Sequence, residues 1–111
     1  MFELEEGPDF WQAFEALDAL GQRDAIAKAV NDLTTWVVEN PLRAAAGADD
    51  VRVVKLPSPA GSGLPSLRLA YYLKLEPRPN GVEGVVVLLD VGPYDQIAEL
   101  LDGNAVPSRW H

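Results

Sequence analysis

Arg68, Tyr72 and Lys74 share one side of a segment, residues 67–76, in which two rows alternate without a break. Leu67, Leu69, Tyr71, Leu73 and Leu75 form one row, and Arg68, Ala70, Tyr72, Lys74 and Glu76 form the other. A period of two belongs to a half-buried strand. The leucine row must face a core, so the second row is expected to stand open and to present two cations and a phenol on a rigid surface. That is chemistry for contacting phosphate and for stacking on a base. Six residues of strand rise separate Arg68 from Lys74 by about 20 Å, too far to grip one phosphate but suited to tracking a backbone. The plain alternative is a solvated strand face.

Other chemistries are scarce. The chain has no cysteine, which removes disulfides, thiolate metal sites and cysteine nucleophiles. Its one histidine is the last residue, His111, where fraying concentrates, so no histidine-based catalytic or metal site is expected. Glu3, Glu5 and Glu6 read as solubilising acids on an edge strand rather than as paired carboxylates for catalysis. Asp90 interrupts an apolar run and needs a cation or several donors beside it, with Arg68 or Lys55 as candidates. No residue cluster implies a metal or another cofactor.

The net charge of −8 opposes general affinity for nucleic acid. Its distribution is uneven. Residues 1–50 hold eleven acids and three bases, whereas residues 51–78 hold Arg52, Lys55, Arg68, Lys74 and Arg78 against Glu76 alone. The positive charge therefore sits where the sequence reads as sheet.

The elements that position these residues follow from punctuation and period. Phe2-Glu3-Leu4-Glu5 reads as a short strand stopped by Gly7-Pro8. Asp9 is placed to cap a helix of about three turns carrying Phe10, Phe14 and Leu17, with Gln12 as capping-box partner and Gly21 as its stop. Ile26, Val30, Leu33 and Val37 mark a second helix over residues 23–39, ended by Asn40-Pro41. The short gap between them predicts an antiparallel hairpin. Residues 43–50 read as a connector with a loose helical turn, residues 51–56 as a valine-rich strand, and residues 57–63 as a flexible hairpin loop. Pro77-Arg78-Pro79-Asn80-Gly81 reads as a second hairpin turn. Residues 84–92 are apolar throughout and predict a strand covered on both sides. A short terminal helix is expected over residues 95–101. The expectation is one α+β domain over residues 1–103, of order β-α-α-β-β-β-α, with a helical hairpin packed on a small, mostly antiparallel sheet and a poorly anchored tail over residues 104–111. The absence of a long apolar run and the acidic start point to a cytoplasmic protein with no membrane partner.

Several of these marks, in this order, resemble the RelE/ParE superfamily of toxins from bacterial type II toxin–antitoxin systems. Phe2-Glu3-Leu4-Glu5-Glu6-Gly7-Pro8-Asp9-Phe10 resembles the family's first strand running into its first helix, and Asn40-Pro41 resembles the usual end of the second helix. Val53-Val54-Lys55-Leu56 stands where members enter the sheet. Leu67-Arg68-Leu69-Ala70-Tyr71 and the run from Val85 to Gly92 resemble two later strands. The resemblance covers about residues 2–100. It implies a toxin neutralised by a cognate antitoxin, acting either as a ribosome-dependent mRNA endoribonuclease or as an inhibitor of DNA gyrase.

The resemblance assigns Arg68 and Lys55 as catalytic-type cations. Arg52, Tyr72, Lys74 and Tyr94 are the further contacts to nucleic acid or target. The chain departs from the nuclease pattern after the last strand, where Pro93-Tyr94 replaces a basic residue and Ala98 falls where an aromatic or basic residue is expected. Tyr94 and Tyr72 are the available substitutes, but neither matches the family pattern, which leaves the general acid and base unassigned. The alternative reading is a non-enzymatic interaction domain that works through its acidic helical hairpin.

Overall fold

A computed structural model describes residues 2–17, 23–47, 50–56, 66–93 and 97. The element order is β1(Phe2–Glu6), α1(Phe10–Ala16), α2(Arg23–Glu39), β2(Ala45–Ala46), β3(Val51–Leu56), β4(Leu67–Lys74) and β5(Gly84–Pro93). The class is α+β, two helices on a five-stranded mixed sheet of order β1-β5-β4-β3-β2. β1 runs parallel to β5, and every other neighbouring pair is antiparallel.

The helices cover one face. The stripe expected for α2 is the stripe that is buried, with Ile26, Val30, Leu33 and Val37 joining Phe10 and Leu17. These meet the leucine row of β4, Leu67, Leu69, Tyr71 and Leu73, together with Val86, Leu88 and Val91 of β5. Packing of this kind, more than intrinsic propensity, holds helices this short. α2 ends where Asn40 donates from both its backbone and its side-chain nitrogen to the Trp36 carbonyl, at 2.8 and 3.2 Å. Between β1 and α1 the chain passes so close to β5 that the Gly7 amide donates to the Leu88 carbonyl at 2.7 Å, and a Cβ at Gly7 would lie 2.6 Å from that oxygen. Only glycine fits there.

Four local expectations are corrected. α1 is a seven-residue helix rather than three turns, and Asp9 at its N-cap keeps a helical backbone with no side-chain cap hydrogen bond. Residues 43–50 carry no helical turn among those described. Instead Ala45–Ala46 pairs with Val53 and Arg52 as an edge strand, reversing through Asp50 at φ 63° with the Gly47 amide bonded to the Val51 carbonyl. β4 stops at Lys74, leaving Leu75 69% exposed and Glu76 outside the ladder. Finally, the second face of the sheet is not open at its centre. Val51, Val53, Ala70, Val85, Val87 and Leu89 form a second buried cluster with Ile97, none more than 5% exposed. Since β5 is apolar on both faces, its neighbours on that side are drawn into a core as well.

The hairpin turn before β5 forms as expected, with Gly81 at φ 87° and the Asn80 side chain accepting from the Val82 amide. The terminal helix over residues 95–101, the loop over residues 57–63 and the tail over residues 104–111 lie outside the described residues, Ile97 excepted. Among the described residues no helix is long and apolar enough to cross a membrane.

Candidate target-binding face

Strand register assembles the second face row by row. Lys55 of β3 stands opposite Arg68 of β4, which stands opposite Gly92 of β5. The next row holds Val53, Ala70 and Asp90, and the next Val51, Tyr72, Val87 and, on β1, Glu5. The last holds Lys74, Val85 and Glu3.

A bulge puts Asp90 there. Ala70 pairs with Asp90 while Tyr71 pairs with Leu88, so Leu89 is an extra residue, and Leu89 and Asp90 turn to the same side. Bulges re-aim side chains in this way. Asp90 thus lies one diagonal step from Arg68, the neighbourhood expected for it. Its Oδ1 accepts the Val91 amide at 2.8 Å.

The charges on this face separate into two ends. At one, Lys55 is exposed and Arg68 half-buried, directly opposed across β3 and β4 with Cβ atoms about 5 Å apart. The Arg68 Nη1 donates to the Leu67 carbonyl at 3.3 Å. Two cations this close concentrate positive potential where a phosphate or carboxylate can bridge them. At the other end Lys74 shares its row with Glu3, which is ion-paired to Arg78. There a shallow cleft of about 360 Å³ is lined by Asp50, Tyr72, Lys74 and Glu76. Among the described residues Asp90 alone stands near Lys55 and Arg68, whereas Glu3, Asp50 and Glu76 surround Lys74, so the first end keeps the excess of cations and the two ends are not equivalent.

Of the expected residues, the structure brings Lys55 and Arg68 together, places half-buried Tyr72 between them and Lys74, and puts Arg52 on the other side of the sheet. Arg52 pairs in register with Tyr71 and donates to the Leu42 and Ala44 carbonyls at 3.3 and 3.4 Å. The Tyr71 hydroxyl donates to the Pro41 carbonyl at 2.7 Å. The two side chains thereby tie residues 41–44 to the helical face. Burial raises the Tyr71 phenol above its ordinary value, against the opposing pull of the Arg52 charge and the Ala44 backbone. Tyr94 lies outside the described residues. Asp90 is the site residue that the sequence treated as structural, and a one-residue bulge inside a continuous apolar run left no pattern to reveal its placement.

The arrangement suits holding an anion at the Lys55–Arg68 end. A proton transfer there would draw on Asp90, the nearest carboxyl on that face. Among the described residues no group of three or more His, Cys, Asp or Glu is placed to hold a metal ion. Comparison of the chain with family models, with curated proteins and with solved structures finds no match in any of the three.

Proposed function

We propose that the chain is a RelE/ParE-like toxin component that acts by binding a macromolecular target at the Lys55–Arg68 end of its sheet, in the manner of a gyrase inhibitor rather than a nuclease. The observation that carries this reading is the direct opposition of Lys55 and Arg68 on the face away from the helices. The sequence of strand, two helices and antiparallel strands, with both helices on one face, supports the kinship that the motifs imply. Three features favour binding over cleavage. The chain is strongly acidic overall, only one end of the face is basic, and aliphatic side chains fill most of the centre, with Asp90 and Tyr72 the groups in its central rows that could move a proton. A carboxylate of a protein target satisfies such a cation pair as well as a phosphate does. In this proposal a cognate antitoxin neutralises the toxin by occupying the same end.

Induced expression in a bacterial host, with growth, message integrity and plasmid supercoiling followed in parallel, tests the reading. Arrest with altered supercoiling and intact messages is the expected result. Cleaved messages would overturn binding in favour of an endoribonuclease, and unimpeded growth would overturn the toxin reading altogether.

A further inference from the structure

On the opposite side of the molecule, α1 and α2 leave a groove of about 310 Å³ that the cation pair does not use. Phe10 and Val30 form its floor, Trp11 and Phe14 one wall, and Ala27, Asn31 and Thr34 of α2 the other. The aromatic wall is built in advance. Trp11 stands edge-on to Phe10 and to Phe14, each with ring centroids 5.7 Å apart, and its indole N–H donates to the Glu6 carboxylate at 2.6 Å. Yet Trp11 is 50% exposed. A large aromatic ring fixed in place and left half in water is the kind of anchor that dominates interfaces, because little entropy remains to be lost when it is covered.

The rim supplies the second half of the argument. Glu6 lines the groove, Glu15 follows Trp11 by one helical turn, and Asp24 continues the stripe of Ala27, Asn31 and Thr34. Lys28, the cation of this stretch of α2, is paired with Asp32 at 2.8 Å. An apolar slot with an acidic margin selects an apolar anchor flanked by cations. A second copy of this chain would bring another acidic hairpin to it, and like charges repel.

We propose that this groove docks a basic amphipathic helix of another protein, an aliphatic side chain entering between Trp11 and α2 while its lysines or arginines meet Glu6, Glu15 and Asp24. An arginine of that helix also finds the open face of Trp11 to stack on. This docking is independent of the cation pair across the sheet.

The test uses the full chain and a labelled synthetic helix of about 16 residues, with leucines at i, i+3, i+4 and i+7 and lysines on the remaining faces. Fluorescence anisotropy measures its binding beside a scrambled peptide of the same composition. The helix is expected to bind at least about tenfold more tightly than the scramble, and to weaken as salt is raised. Trp11→Ala and Asn31→Lys are each expected to weaken it about tenfold or more, while Arg68→Ala leaves it unchanged. Asn31→Lys guards against a folding artefact, since Asn31 is exposed and only its backbone carbonyl is used, by Thr34 and Thr35. Equal binding of the scramble, no binding, or full affinity in both groove variants would overturn the proposal.

Discussion

Tyr71→Phe removes one oxygen from the middle of the helical face. The ring is fully buried, and its hydroxyl donates a 2.7 Å hydrogen bond to the Pro41 carbonyl, while Arg52 serves the neighbouring Leu42 and Ala44 carbonyls instead. Losing a buried neutral hydrogen bond and leaving its acceptor unmet costs about 1.5–2 kcal/mol. For a chain of this size that is a fall of roughly 6–10 °C in the unfolding midpoint, or about 1 M in urea with an unchanged slope.

The pH dependence sharpens the test. Burial raises the folded phenol above the unfolded value of about 10. The contribution of Tyr71 is therefore complete below about pH 10 and is lost as pH rises through the folded value, because the unfolded chain releases a proton that the folded chain retains. The stability gap between the wild type and Tyr71→Phe should be constant from neutral pH to about 9 and then narrow. Urea unfolding of both proteins across that range measures it. A variant as stable as the wild type at pH 7, or a gap that widens in alkali, would refute the reasoning.

Two further substitutions probe the sheet. Gly84→Ala drives a Cβ into the backbone carbonyl of Lys74 in the neighbouring strand, so a loss of about 2–3 kcal/mol is expected in denaturant unfolding; a neutral outcome would mean that β4 and β5 are not in close register there. Val87→Lys places a charge in the second buried cluster, where Val87 is 5% exposed, and should cost about 3 kcal/mol or more or abolish soluble expression. Unchanged stability would return that face to solvent.

The alternation of residues 67–74 was enough to assign which row meets the helices, because one face of β4 packs against a continuous core and a register slip would expose all of it. The α2 stripe was equally plain, since Ile26, Val30, Leu33 and Val37 repeat at helical spacing through a segment with caps at its end. The second face was harder. Read strand by strand, Arg68, Tyr72 and Lys74 look like an open polar row. Only alignment of β4 with Val51 and Val53 on one side and Val85, Val87 and Leu89 on the other shows that the row crosses a core. Parity does separate Arg52 from Lys55, three residues along one strand and therefore on opposite faces. The bulge at Leu89 had no such mark, because an apolar run has no alternation to break. β2 was hidden for the opposite reason, its two alanines carrying no pattern at all.

The claim on which the account turns is that Lys55 and Arg68 act together as the working end of the sheet. Growth of a bacterial host expressing wild type, Lys55→Ala, Arg68→Ala and the double variant at matched soluble levels, with unfolding midpoints checked to coincide, tests it most directly. The account predicts arrest by the wild type, loss of arrest in either single variant, and no further loss in the double. Arrest that persists undiminished in Arg68→Ala would contradict it.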